Sequence, residues 1–391
     1  MEFNNNQSFP IITRLPYFKH SGLVICILSI CYGMIFVLTI IGNIAVLLTV
    51  IRHVSMRTVI NIFICNLSIA DILCALFVLP ITLLQSIHNE WHFGTLLCRA
   101  SPYLQGTTVC ASISTLTIIA FDRYVAICHP MKRVINKKTT YIIVIGIWIS
   151  SAIILLPWAV YYKIQIKVTN LTWNGSFQLH RKICLMEWPN KGEGKEYFLG
   201  VIFIILYVIP LTLISIFYAA VGLKVWQRVS TDNSGKKFCL NHTCGGIDRK
   251  KSIKLVKMLL TVVVFFAISW LPLYITLLLY YYLNNQSWNV NVKTIVLTYF
   301  LPIFQVLGAS NNCINPFIYY NYSRKYHDGI NAVICCRSIP GNGYLQGASG
   351  YNVTFGTNSC SLRKANEGLE ITNKSYKSSP TFYSARMINK Q

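Results

Sequence analysis

The stretch LVICILSICYGMIFVLTIIGNIAVLLTVI, residues 23–51, holds no charged side chain. A helix rises about 1.5 Å per residue, so about 20 apolar residues cross a hydrocarbon core of ~30 Å. This run exceeds that length, with Lys19 before it and Arg52 after it. Six further runs repeat the pattern. Residues 59–87 carry one charge, Asp71. Residues 96–128 carry Arg99 near the start and Asp122-Arg123 near the end. Residues 139–162, 197–223, 258–288 and 294–323 carry none. In lipid every backbone polar group needs an internal partner, which a helix supplies by itself. The predicted fold is an all-α membrane protein, a seven-transmembrane helix bundle whose chain ends lie on opposite sides.

Composition agrees. Of 391 residues, 54% are hydrophobic and 12% charged, and mean hydropathy is +0.49. Soluble domains run near 25% charged, so there is too little charge here to coat a water-facing surface. Lys+Arg number 35 against 12 Asp+Glu, a formal net of +23. Such an excess also suits nucleic acid, but here the basic residues fill the gaps between apolar runs, as in membrane proteins. A soluble enzyme and a nucleic-acid binder are both excluded. With the N-terminus outside, ten Lys and Arg fall outside and twenty-five inside, the asymmetry that sets topology. The sequons at Asn6, Asn170 and Asn174 then also lie outside, where glycosylation occurs. The first twenty residues lack a cleavable-signal pattern, so the first span is expected to insert directly.

The expected organisation is an extracellular N-terminus (1–22), the bundle (23–321), an amphipathic membrane-surface helix (322–336) and a cytoplasmic tail (337–391). The tail is rich in Ser, Thr, Asn and Gly, a composition of disorder. No internal repeat is present.

Polar groups within lipid are costly, ~2.5–3.5 kcal/mol for a charge at a helix centre, and by default mark function. Here they are Gly42-Asn43 in the first span, Asn66-Leu67-Ser68-Ile69-Ala70-Asp71 in the second and Asp122-Arg123-Tyr124 ending the third. Trp148 lies in the fourth and Pro210 in the fifth. Ser269-Trp270-Leu271-Pro272 lies in the sixth and Asn315-Pro316-Phe317-Ile318-Tyr319 in the seventh. Taken together, one per span and in this order, they make the chain resemble the rhodopsin-like (class A) G-protein-coupled receptors. The residues also make sense by themselves. Buried Asp71 has no Lys or Arg at its depth, while Ser112, Asn311, Asn312 and Asn315 offer neutral oxygens. That set suits a hard cation or a hydrogen-bonded knot that orients helices. The resemblance implies an allosteric sodium ion and no other cofactor.

Arg123 follows Asp122, so a local ion pair is expected to hold it at rest. The resemblance implies that activation releases it toward a heterotrimeric G protein, aided by Tyr218 and Tyr319. A second lock, formed in some relatives by an acid on the sixth helix, is absent because Ser252 stands there among basic residues. The resemblance also makes Pro210, Ile113 and Phe266 a packing switch and Trp270 its toggle. It pairs Cys98 with Cys184, the two of fourteen cysteines at or beyond the outer face, where oxidation favours a disulfide. Cys335 and Cys336 end the amphipathic segment and are expected to be palmitoylated. Ser and Thr of the tail are candidate sites for receptor kinases and arrestin.

The ligand class narrows by residue. A retinal-binding Lys is replaced by Ala309, and the acid that pairs with amines by Gln105. Tyr103-Leu104-Gln105-Gly106, Cys184-Leu185-Met186-Glu187-Trp188-Pro189 and Trp91-His92-Phe93-Gly94 resemble the neuropeptide FF, SIFamide and RFamide-type receptors. That resemblance implies an amidated peptide, with candidate contacts at Gln105, Glu187, Trp188, Trp270, Tyr274, Leu277, Tyr281 and Gln305. Gln105 is expected to anchor the peptide from below and Glu187 from above. Two features depart from the pattern. Tyr281 stands where relatives often carry an Asp, and the outer segments hold ten basic residues against five acids. A non-peptide ligand remains the alternative. A seven-helix transporter or channel would need ionisable residues along a path, and only Asp71 lies deep in the bundle.

Overall fold

The computed structural model describes residues 17–129, 131, 135–172, 176–190, 192–232, 245–282, 292 and 295–334. Among them six helices are long and apolar enough to cross a membrane: Gly22–Arg52, Val59–Ile87, Gly94–Cys128, Lys137–Ile154, Glu193–Lys224 and Ile253–Tyr282. The seventh helix runs through Val296–Phe300 into Leu301–Tyr322. It is less apolar because Asn311, Asn312, Asn315 and Asn321 lie on it, but its final 22 residues alone reach about 30 Å. The all-α seven-helix architecture read from the sequence is the one found.

The first helix packs against the second and seventh. The third packs against the second, fourth and fifth, and the sixth lies beside the seventh. Side chains sort by what surrounds them. Ile27, Ile30, Met34, Val37, Leu38, Ile41 and Ile44 of the first helix face outward, a row at helical spacing suited only to lipid. Tyr32, Ile35, Thr39, Asn43, Val46 and Thr49 face the bundle. Interior hydroxyls mostly satisfy themselves on their own helix. Thr107, Thr115 and Thr82 donate to Tyr103 O, Ala111 O and Val78 O at 2.8, 2.6 and 2.9 Å. This four-residue back-bonding removes the cost of a bare hydroxyl in hydrocarbon.

Prolines shape the helices. The second breaks at Val78, just before Pro80, and the fourth at Leu155, just before Pro157. In the fifth, Phe198–Val208 winds as a π-helix, and Ile209 N–H donates to Ile204 O, directly ahead of Pro210. The seventh does the same: Leu301 N–H donates to Val296 O, ahead of Pro302. A proline ring clashes with the carbonyl four residues back and has no N–H, and a wider turn relieves both problems.

The loop between the fourth and fifth helices is an antiparallel hairpin, β1 (Tyr162–Thr172) and β2 (Ser176–Met186), with Ile164 opposite Cys184. Ile164, Ile166 and Val168 alternate with Lys163, Gln165 and Lys167, the period-two pattern of a strand. At the other end, Ser323 is extended and the chain bends into the short helix Arg324–Ile334. Tyr326, Gly329 and Ile330 are buried, while Arg324 and Lys325 are exposed. Gly329 lets this helix press on the first one, since a Cβ there would lie 2.1 Å from Thr49 Cγ2. Asn6, Asn174, Cys335, Cys336 and the tail after 336 lie outside the described residues, as do the side chains of Asn170 and Ser252.

Candidate functional site

One end of the bundle opens into a cavity of about 500 Å³, a volume suited to a small molecule or a few peptide residues. The third helix supplies Gln105, Val109 and Cys110, and the sixth supplies Trp270, Tyr274, Leu277 and Tyr281. Gln305 comes from the seventh and Gln85 from the second. Aromatic packing sets the far wall, where Tyr207 lies 4.6 Å from Tyr274 and Phe198 lies 5.1 Å from Tyr281. Tyr207 also donates its hydroxyl to Ala267 O at 2.7 Å, tying the widened turn of the fifth helix to the sixth. None of the described residues that line the cavity is charged. Its polar side-chain groups include three glutamine carboxamides, tyrosine hydroxyls and the indole N–H groups of Trp158 and Trp270.

The Cys98–Cys184 disulfide joins the third helix to β2, with Cα atoms 5.7 Å apart. It draws Cys184, Leu185 and Met186 against the cavity. Of the expected ligand contacts, Gln105, Trp270, Tyr274, Leu277, Tyr281 and Gln305 line this space, whereas Glu187 and Trp188 do not. Glu187 N–H donates to Tyr161 O at 2.9 Å and its side chain is exposed. Trp188 is held between Tyr161 and Tyr197, at 4.6 and 5.1 Å, above Gly194. Glu187 therefore stands outside the cavity lining, because the chain turns away once β2 ends at Met186. Gln85, Tyr162 and Met186 are wall residues the sequence reading missed. The Asn174-Gly175 pair between alternating apolar runs, a strong hairpin signal, pointed to the strands behind two of them.

Trp270 floors this cavity and also borders a second, much smaller one of about 10 Å³, room for roughly one water. Asp71, Ser112, Asn311, Asn312 and Phe266 share its lining. Asp71 is only 2% exposed and accepts one hydrogen bond, from Asn315 Nδ2 at 3.0 Å. The Oδ1 atoms of Asn311 and Asn315 and the Ser68 hydroxyl are buried without a partner among the described residues. A carboxylate beside unpaired neutral oxygens fits a small hard cation. Neighbouring amides serve structure instead. Asn43 bridges to Asn312 O at 3.0 Å, and Asn66 bonds Thr115 at 2.8 Å while accepting from Trp148 Nε1 at 2.8 Å. Three of the four residues expected to form a packing switch are neighbours. Ile113 and Phe266 are buried in one cluster with Trp270, the Phe266 and Trp270 rings are 6.3 Å apart, and Pro210 follows the widened turn of the fifth helix.

At the opposite end, Arg123 donates through Nε (3.1 Å) and Nη2 to the same oxygen of Asp122. Both line a cleft of about 870 Å³ with Arg57, Lys137 and Leu255. Tyr124 stacks on Phe217 at 5.5 Å. Tyr218 is buried in the core and Tyr319 wholly so, with the Tyr319 ring 5.6 Å from Tyr326.

A seven-helix bundle with a ligand-sized cavity at one end and a restrained arginine in a cleft at the other defines a membrane receptor. Residues 42–319 match the family described as 7 transmembrane receptor (rhodopsin family), and the chain belongs to it. It is a multi-pass plasma-membrane G-protein-coupled receptor, not an enzyme, as its motifs led one to expect. Among its relatives, the neuropeptide FF receptor 2 of Rattus norvegicus is 33% identical over 81% of this chain and 75% of its own. The tachykinin-like peptides receptor 86C of Drosophila melanogaster is 32% identical over 84% and 62%. The pyroglutamylated RF-amide peptide receptor of Mus musculus is 30% identical over 78% and 68%.

Proposed function

We propose that this receptor binds an extracellular peptide whose amidated C-terminus enters the 500 Å³ cavity. The observation that carries this reading is the uncharged lining with its three carboxamides, Gln85, Gln105 and Gln305. Burying a carboxylate without a cation is costly, whereas a carboxamide exchanges hydrogen bonds with glutamines at no charge cost. The relatives, named as receptors for neuropeptide FF, tachykinin-like and RF-amide peptides, support a peptide. The cavity lies outside when the N-terminus does, an orientation supported by twenty-five basic residues on the other side.

The test is a calcium and cyclic-AMP screen of cells expressing the full chain against paired amidated and free-acid peptides. Amidated members should be at least tenfold more potent than their acids, and Gln105→Leu should reduce that advantage. One neutral hydrogen bond contributes about 0.5–1.5 kcal/mol and 1.4 kcal/mol is tenfold. Equal potency of acids and amides would overturn the placement, and silence from every peptide would leave a non-peptide ligand.

The same reading makes the Asp71 cluster an allosteric sodium site. Agonist potency should fall as sodium rises in the wild type and become insensitive to sodium in Asp71→Asn, which keeps shape and removes charge. A mutant that still responds to sodium would remove the ion from this cluster. The Ser- and Thr-rich tail is proposed as the contact for receptor kinases and arrestin, Cys335 and Cys336 as palmitoylation sites, and Asn6, Asn170 and Asn174 as glycosylation sites.

A further inference from the structure

The rim above the uncharged cavity is cationic by construction. Residues before the first helix lie along the first outer loop. Phe18 bridges to His88, Lys19 N–H donates to Ile87 O at 2.8 Å, and Asn89 returns a bond to Tyr17 O at 3.2 Å. Tyr17 packs on the rings of His88 and His92 at 4.8 and 5.7 Å. Lys19 is thereby fixed by backbone on both sides, and its ammonium donates to the carbonyl of Gln85, a wall residue, at 2.6 Å. The same loop holds the hairpin: Trp91, 5% exposed, donates its N–H to Lys182 O at 2.8 Å. Arg181 precedes Lys182 on β2, so the same loop ties the strand that carries it to the segment that carries Lys19.

Neither cation has an ion-pair partner among the described residues. Among the described residues the ion pairs are Arg123–Asp122 and His327–Asp328, both remote from this rim. Arg181 Nε is buried with no hydrogen-bond partner. Lys19 is reached by water, yet burial and the charge of Arg181 push its ammonium down to about 8. Burial and a like charge both disfavour the charged form of an amine. A further cation, Arg99, is bonded to the carbonyl of the wall residue Tyr162 at 3.2 Å.

We propose that Lys19 and Arg181 form a subsite for a carboxylate, an Asp or Glu of the peptide ligand lying just upstream of the segment in the cavity. Two like charges on segments tied by one loop each disfavour the other until an anion settles near both, so an acid at that place offsets that repulsion as well as forming its own bonds. The cavity and rim then select different ends of one ligand, a neutral end below and an acidic residue above. This subsite rests on the peptide reading given above.

The test has two arms. In the first, amidated peptides that activate cells expressing the full receptor are compared in isosteric pairs with Glu or Gln at each upstream position. At one position Glu should be at least tenfold more potent than Gln, and Lys19→Gln/Arg181→Gln should erase that difference while leaving the Gln peptide within about threefold. Surface expression is followed with an antibody tag. Equal potency of Glu and Gln peptides at every position overturns the subsite and leaves the peptide reading standing. The second arm needs no agonist: a fluorescent hexa-glutamate amide is titrated onto the purified receptor in neutral-lipid nanodiscs. Wild-type receptor should bind it, and the double variant should lose at least tenfold in affinity. Unchanged binding by the variant overturns the subsite even if no peptide proves to be an agonist.

Discussion

Arg123→Ala should leave peptide binding within a few-fold of wild type and reduce G-protein activation at least a hundredfold. Arg123 lies at the far end of the bundle from the cavity, lines the cleft there and is bonded through its guanidinium to Asp122. Each hydrogen bond that a guanidinium makes to a protein partner contributes about 1.5–3 kcal/mol, so losing two in the signalling complex accounts for a hundredfold or more. Asp122→Asn should act in the opposite sense. It keeps the shape but removes the charge that restrains the arginine, so activity without ligand should rise. Nucleotide exchange on a purified G protein, alongside labelled-peptide binding, reads both variants. Full signalling by Arg123→Ala would show that the cleft engages its partner through other groups.

The disulfide should matter as much, but at the binding step. Cys98→Ala or Cys184→Ala should each weaken ligand binding at least a hundredfold, and the double variant should be no worse than either single one. The link fixes β2 so that Cys184, Leu185 and Met186 form cavity wall. Removing a native disulfide typically costs about 2–5 kcal/mol, and here much of that loss falls on the free hairpin over the opening. Non-additivity is the diagnostic, because two residues that act as one bond lose one bond. Dithiothreitol should mimic the single variants in the wild type and change nothing in the double. Losses that add would mean the two thiols act separately.

The hairpin also shows where sequence reasoning stops. Its strands were legible in the alternation of Ile164, Ile166 and Val168 with polar residues, yet a loop between two spans draws little attention beside runs of apolar helix. The cavity contacts on the helices were legible through the resemblance, which implied Gln105, Tyr274, Leu277 and Tyr281 as candidate contacts. Glu187 stands outside the cavity lining for a reason the sequence does not show. It lies three residues after Cys184, and sequence distance from a disulfide carries no direction. The hydrogen bond from its amide to Tyr161 O and the docking of Trp188 on Gly194 turn it outward.

The sequence by itself determined the architecture. Seven apolar runs of sufficient length leave no other way to satisfy the backbone in lipid, and the buried polar residues on those runs name the receptor family. The positions of Asp71, Arg123 and Trp270 along their helices follow from the same counting. Only the tertiary structure decided what lies next to what across helices and loops. It placed Trp270 between the ligand cavity and the Asp71 cluster, made Gln85 a wall residue, and tied the Lys19 segment and β2 to one loop. The first of these follows from helix packing, and the last from a loop between the second and third helices that is bonded on one side to the segment before the first helix and on the other to β2. Local pattern encodes which face of an element is apolar. Contacts between elements depend on a closing network of bonds and packing that no single stretch contains.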